Sequence, residues 1–459
     1  MTKSLFTDFE SVSAKEWKQK IQYDLKGADY NEALIYKTLE GIDIKPFYNS
    51  EDVENLDIHN QNPTSWNNCL KIEVNNAEEG NAKAIDGIKK GAESIYFIVK
   101  VELENISVLF DNIENHITFY IETSFLSLDF CKKLNSLAKA SHHNIYLLTD
   151  VIGNLAAQGN WYNSLNEDLS ISAKIVSECD SLQSALSIDM SLYQNAGAHI
   201  VQQLAYGIAH VNEYMNRFEN DKESVPLDKI VFKVSVGGNY FFEIAKLKAL
   251  RLLWNSLINE YNIKADCHIL ASPGLRNKSI LDYNVNMLRT TTECMSTVLG
   301  GADTIFNQPY DTIYHLENEF GTRIALNQLL ILKDESYFDT VNNPASGSYY
   351  IESITNSIAE EALNVFKSIE KAGGFLTQLK EGTIQRKIKE SATKEQELFD
   401  NSDIVLTGVN KYSNQEEIIP EVQKELFLLK KKRKTLIEPI ITRRLAEVIE
   451  KKRLDSADY

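Results

Sequence analysis

The sequence predicts an α/β protein folded as a (β/α)8 TIM barrel, with an N-terminal arm and a C-terminal helical extension. Eight apolar runs follow one another from about residue 69: CLKIEV, SIYFIV, ITFYIE, IYLLTD, LSIDMSLY, IVFKVSV, ADCHIL and ADTIF. Segments of helical spacing lie between most of them, among them Ala196 to Phe218 and Asn239 to Tyr261. Strands that alternate with helices build a parallel sheet, and eight such strands have a closed solution as a barrel. One repeat is visible whole in Asn286 to Asp311, NMLRTTTECMSTVLGGADTIFNQPYD. Leu288, Met295, Val298 and Leu299 recur at helical steps, Gly300 and Gly301 supply the left-handed stop, and ADTIFN reads as a buried strand that Pro309 ends.

Taken in order, residues 1–60 form an arm expected to contact a partner. It holds an amphipathic helix around Trp17 to Leu25, then KGADY, then TLEGIDIKPFY, which is too polar to own a core. Trp17, Tyr23, Tyr30 and Tyr48 are its candidate interface anchors, since aromatic residues dominate protein contacts. Residues 61–375 make the barrel, with ISAKIV at 171–176 assigned to a helix rather than a ninth strand. An open doubly wound sheet is the alternative. Residues 376–459 are the helical extension. Helices are expected over Ile354 to Lys371 and Phe375 to Glu390, and a basic helix over LLKKKRKTLIEPIITRRLAEVIEKKRL.

With 459 residues, 43% hydrophobic and 25% charged, the chain is globular material. A net charge of -17 argues against nonspecific nucleic-acid or anionic-membrane binding, which needs a basic face. The Lys430 to Lys434 run is read as a solvated helix face. The five cysteines, Cys69, Cys131, Cys179, Cys267 and Cys294, are scattered and odd in number, as in a reducing compartment. No apolar window approaches the roughly 18 residues of a membrane span, and MTKSLFTDFESVSAKEW lacks the core of a signal peptide. A cytoplasmic location is expected.

Recognisable chemistry is scarce. The eight histidines show no metal-ligand spacing, so no metal site is expected. His142 and His143 are adjacent and diverge on any regular element. Nucleophile elbows, Walker loops and dinucleotide fingerprints are missing. The Gly237, Gly238, Asn239 turn is a plain βα turn with Asn239 as N-cap, although its amides could hold an anion. His268 sits inside ADCHIL, as a hydrogen-bonded core histidine or as a residue at the barrel mouth.

Further stretches carry a resemblance: KGADY with EGIDIKPFY, YQNAGAHIVQQLAYGIAH, NYFFEIAKLKALRLLW, NMLRTTTECMSTVLGGADTIF, NEFGTRIALNQ, SGSYYIE with KAGGF, and GVNKY at Gly408 to Tyr412. Together they resemble the methylmalonyl-CoA mutase family, adenosylcobalamin-dependent enzymes that interconvert methylmalonyl-CoA and succinyl-CoA. The resemblance implies a substrate-binding barrel followed by a flavodoxin-like cobalamin domain whose DxHxxG histidine ligates cobalt. Here Asp57-Ile58-His59 is followed by Asn60, Gln61 and Asn62, and too few residues follow Tyr412 to build that domain. The cobalamin-binding domain is therefore expected to be absent, and no cofactor is expected on this chain.

The resemblance also implies a Tyr-His pair before the Gln-Glu-Ala-Gly-Ala segment of catalytic chains, the histidine bonding the thioester carbonyl. In SLYQNAGA these positions are Ser191 and Leu192, and leucine donates no hydrogen bond. The radical-shielding tyrosine strand is replaced around NPTSWNNCLKIEV. His268 matches a substrate-contacting histidine, but Leu270 and Asp303 stand where catalytic chains have glutamines. A carboxylate there would oppose an anionic CoA ester. His268 and Arg289 are thus vestigial substrate-site candidates, and no catalytic residue is expected. The expectation is a small, noncatalytic subunit of a heterodimeric mutase, stabilising a large subunit that holds adenosylcobalamin. The rival is a stand-alone barrel that binds or transforms a CoA ester as a homo-oligomer, through His268, Asp303 and Arg289.

Overall fold

The computed structural model describes residues 10, 12–53, 63–220, 229–414, 416, 419–427 and 433–457. One parallel sheet contains β1 (Asn67–Val74), β2 (Ser94–Val99), β3 (Thr118–Thr123), β4 (Asn144–Leu147), β5 (Ser187–Asp189), β6 (Lys229–Val236), β7 (Asp266–Pro273) and β8 (Thr304–Phe306). Their hydrogen-bonded order is β4-β3-β2-β1-β8-β7-β6-β5. The two ends of that series meet. Gln183 N–H donates to the Ile145 carbonyl at 2.8 Å, Leu147 N–H to Ser184 at 2.9 Å, and Ser187 N–H to Thr149 at 2.9 Å. The sheet is closed, which excludes the open doubly wound alternative. Each of the eight apolar runs contains a strand, and ISAKIV lies within the helix Leu165–Glu178.

The strands are apolar on both faces because both faces are covered. Ile95, Phe97, Phe119, Ile121, Phe232, Val234 and Ile269 point outward into the core shared with the surrounding helices. Their alternates Tyr96, Tyr120, Tyr146, Val231, Leu270 and Phe306 form a separate core inside the barrel. Each buried aromatic contributes about 1.5–3 kcal/mol of hydrophobic stabilisation.

The helix of the opening repeat spans Val285–Leu299; Val298 is buried and Met295 and Leu299 pack against apolar clusters as expected, but the buried face is wider and more polar than the apolar spacing suggests and leaves Leu288 out. Leu288 is 67% exposed, whereas Asn286, Thr290, Glu293 and Thr297 are buried. These polar residues tolerate burial because each has partners. Glu293 pairs with Lys278 at 2.8 Å, Asn286 Nδ2 donates to the Ser279 carbonyl at 2.8 Å, and Gln328 Nε2 meets Thr290 Oγ1 at 3.0 Å. Of the two glycines, Gly300 keeps a right-handed φ of -76° and only Gly301, at +84°, is left-handed. Gly300 is held small by packing, since a Cβ there would lie 2.9 Å from Leu247 Cδ1.

The arm begins with the helix Ala14–Asp24, which has a Ser13/Glu16 capping box and no buried residue. TLEGIDIKPFY, too polar to own a core, supplies the turn and second strand of a two-stranded hairpin that pairs Asp43–Ile44 with the preceding Tyr36–Lys37 around Gly41. At the other end, helices span Tyr349–Lys371, Phe375–Lys380 and Thr383–Asp400. Gly382, at φ +74°, divides what was expected as one helix from Phe375 to Glu390. Of the basic helix expected over 428–454, the described residues show helix only from Glu447, continuing to Ala457. Residues 433–446 instead run as a non-helical strap, because Pro439 lacks an N–H and disfavours the helical conformation at Glu438. The strap bonds across the barrel's outside: Leu436 N–H to the Gly159 carbonyl at 2.9 Å, Ile440 to Ala156 at 2.8 Å, Arg443 to Asn195 at 3.0 Å and Leu445 to Arg276 at 2.9 Å. Asp57-Ile58-His59 and Lys430 to Lys432 lie outside the described residues. Among the described residues, no helix is long and apolar enough to cross a membrane.

Candidate functional site

In a parallel barrel the chemistry belongs at the C-terminal ends of the strands, so the inward-facing residues there define the candidate site. Period-two alternation aims Lys71 of β1, Glu122 of β3, Asp189 of β5 and Lys233 of β6 inward. Lys233 Nζ lies 2.8 Å from Glu122 Oε2 and 2.8 Å from Asp189 Oδ2. Glu122 also accepts the Tyr96 hydroxyl, and Asp189 accepts the Ser191 hydroxyl. A brace of charge therefore crosses the lumen from β3 to β6. Burial alone would raise the Glu122 carboxyl, but the Lys233 ammonium overrides it and holds the group below its ordinary range. The reciprocal holds for Lys233: burial works against its charge, yet Asp189 and Glu122 lift it well above the usual amine range.

A second brace lies deeper. The Tyr120 hydroxyl is 2.7 Å from His268 Nε2 and 2.7 Å from Thr304 Oγ1, joining β3 to β7 and β8. The Tyr146 ring stacks on His268 with centroids 4.5 Å apart, and on Tyr120 at 5.0 Å. Burial pushes the Tyr120 hydroxyl well above its ordinary value, and drops the His268 imidazole from 6.5 to about 4 despite the nearby Asp303 carboxylate. A neutral histidine and a neutral phenol share a hydrogen bond at neutral pH, so neither is set up to transfer a proton.

At the β4–β5 closure, Asp150 accepts the N–H groups of Gly153 at 2.7 Å and Asp189 at 2.9 Å. His210 Nε2 stands 3.0 Å from the same carboxylate, with its other nitrogen 2.9 Å from the Tyr193 hydroxyl. This buried chain resembles a relay, but Tyr193 and His210 are fully buried, so its evident role is to fasten the closure.

The residues singled out from sequence fall in different places. His268 is in the deep brace. Asp303 precedes β8 at the opposite end of the strands from the mouth, where it accepts Arg251 at 2.8 Å and the Ile269 N–H at 2.7 Å. Arg289 lies on the helix after β7 and donates to Asn286 at 2.8 Å and the Thr407 carbonyl at 2.5 Å, tying down the C-terminal extension. Ser191 is at the mouth, and Leu192 packs against the main hydrophobic core. In the Gly237 turn the amide is taken by Glu243 Oε1 at 2.8 Å, and Asn239 occupies the N-cap position without a side-chain bond. Of the arm aromatics, Trp17 and Tyr23 are 49% and 79% exposed, Tyr30 is buried under Lys18, and Tyr48 packs against Tyr350 at 5.1 Å. All five cysteines are buried. Tyr96, Tyr120, Glu122, Tyr146 and Lys233 were not singled out from sequence. Their signal was a charged or hydroxyl-bearing residue at every second position of an otherwise apolar strand.

Fold and mouth together define a closed parallel (β/α)8 barrel protein in whose lumen Lys233, Glu122 and Asp189 satisfy one another. A family model described as methylmalonyl-CoA mutase matches residues 102–453. The methylmalonyl-CoA mutase small subunit of Porphyromonas gingivalis is 31% identical over 452 residues, covering 90% of this chain and 72% of that one. The methylmalonyl-CoA mutases of Rhizobium meliloti and Escherichia coli are 26% and 23% identical, with 91% and 87% of this chain covering 65% and 64% of theirs. The chain thus spans about two thirds of the length of these relatives. It belongs to the methylmalonyl-CoA mutase family.

Proposed function

We propose that this chain is the small, noncatalytic subunit of a heterodimeric, adenosylcobalamin-dependent methylmalonyl-CoA mutase, and that it stabilises a large subunit carrying both cofactor and CoA ester. The observation that carries this reading is Leu192. By the resemblance it stands where catalytic chains carry the thioester-bonding histidine, and it packs, half-buried, against the hydrophobic core. A leucine offers no hydrogen bond to a thioester carbonyl there. The surrounding mouth supports the same reading. A CoA ester entering the lumen would have to displace the Lys233–Glu122–Asp189 brace and separate Tyr120 from His268.

The residues of the lumen do not fit cobalamin either. His268 commits Nε2 to Tyr120 and is walled by the Tyr146 ring, and His210 is held between Asp150 and Tyr193. Cobalamin would therefore sit on the partner, and no step of the reaction is assigned to this chain. The exposed Trp17 and Tyr23 of the arm are the side chains best placed to meet that partner.

The test is co-expression with a longer homologue carrying DxHxxG from the same genome, purification through a tag on this chain, and assay of the isomerisation. Co-purification with activity is expected, and failure of the two chains to co-purify would falsify the reading. Calorimetry of the isolated chain with CoA esters is expected to detect no tight binding. Tight binding without a partner would favour the stand-alone barrel.

A further inference from the structure

Among the described residues, two ammonium groups at the mouth, those of Lys71 and Lys424, make no ion pair. Lys71, half-buried on β1 and facing inward, makes no ion pair or hydrogen bond among the described residues, and its ammonium lies 5.9 Å from the Phe306 ring centroid. It lines a cavity of about 60 Å³ between the C-terminal ends of β1 and β8, whose lining also includes Lys424. Lys424 comes from residues 419–427, which cross over the loop after β8. Its ammonium reaches only a carbonyl, that of Thr312 at 3.2 Å, while Gln423 N–H bonds the Tyr314 carbonyl at 2.7 Å.

The carboxylates lining the same cavity are engaged elsewhere. Glu73 takes Lys100 at 2.5 Å, Glu317 takes Lys83 at 3.3 Å, and Asp311 accepts Asn318 Nδ2 at 2.7 Å. Two ammonium groups thus line one small cavity, and among the described residues neither has a carboxylate within ion-pair distance, although Glu73 and Glu122 act on Lys71 from further off. An unpaired, partly desolvated ammonium is costly, and an anion of matching size removes that cost. Burial holds the Lys71 amine below its ordinary range, against the opposing pull of the Glu122 and Glu73 carboxylates.

We propose that this cavity binds a compact oxyanion, a carboxylate or a phosphate group, between Lys71 and Lys424, and that occupancy fastens residues 419–427 over the barrel mouth. The cavity is too small for more than one such group, so the ligand is a small acid or the terminal group of a longer molecule held outside. This inference concerns the chain by itself and stands whether or not a catalytic partner exists.

The test is titration of the full chain with acetate and, separately, inorganic phosphate, at constant ionic strength in chloride, followed by calorimetry and by hydrogen exchange. Saturable binding with a Kd on the order of millimolar or tighter is expected for one of the two, and the preferred anion identifies the group. Exchange should slow in residues 419–427, the Gln423 amide above all. Lys71→Met and Lys424→Met are each expected to weaken binding tenfold or more. If Lys71→Met fails to fold, Lys424→Met on the overlying segment decides alone. Binding that survives Lys424→Met, protection that chloride produces equally well, or no saturable binding of either anion would each overturn the proposal.

Discussion

Lys233 Nζ and Glu122 Oε2 meet 2.8 Å apart in the middle of the barrel, one from β6 and the other from β3. Removing the ammonium leaves Glu122 and Asp189 as like charges facing each other. Lys233→Met is expected to destabilise the chain by roughly 1–3 kcal/mol, less than for a fully dry pair because Glu122 and Asp189 keep some water contact. Urea unfolding of Lys233→Met, Glu122→Gln and the double variant measures the coupling, and strictly additive losses would count against the brace.

Acid should loosen the barrel through His268. Its imidazole titrates near 6.5 when unfolded and about 4 when folded, so between those values the unfolded chain binds the proton and the native chain does not. Stability then rises with pH across that window, and this contribution is complete above 6.5 and lost as the pH falls toward 4, to the extent of about 3 kcal/mol. His268→Gln should flatten that part of the stability-versus-pH curve. An unchanged curve would show that the histidine is not buried neutral.

Restoring one mouth residue should not restore chemistry. Leu192→His, tested in the isolated chain supplied with adenosylcobalamin and methylmalonyl-CoA, is expected to give no turnover, because the lumen beyond it is closed by the two braces. Measurable isomerisation by that single variant would remove the main support for a noncatalytic role.

Asp303 is expected to act in stability rather than ligand rejection. Its carboxylate is the partner of Arg251 and of the Ile269 N–H. Asp303→Ala should therefore lower stability by roughly 1–3 kcal/mol without creating affinity for a CoA ester. Calorimetry of the folded variant checks the second half, and a gain in affinity would reassign the residue to the ligand site.

The barrel was legible in the sequence because its strands are continuous apolar runs, which a parallel sheet covered on both faces requires. The opening repeat is legible as helix, stop and strand, and Met295, Val298 and Leu299 do pack inward, but the polar part of its buried face is not. Spacing of apolar residues cannot anticipate that Asn286, Thr290 and Glu293 would be buried on partners more than six positions away, while Leu288 faces outward. Pro439 was sufficient to predict the break in the basic segment, and it was passed over because the surrounding composition is helical. At the mouth, Leu192 was noticed through a resemblance to other chains. The braces were missed because Tyr120 and His268 are 148 residues apart. Their pairing depends on a register that only closure of the sheet establishes.

The strap over 433–446 has a consequence for the order of folding. Asn160 Nδ2 holds the Lys434 carbonyl at 3.2 Å across 274 positions of chain, and Arg433 reaches Gln158 across 275. Such contacts are made only after the strands they enclose have paired, and their loop-closure cost comes late. During synthesis the β4–β5 closure therefore exists for a time without its outer fastening. That is the interval in which this chain is most exposed to mispairing with a neighbour, and in which a waiting partner would be of greatest use.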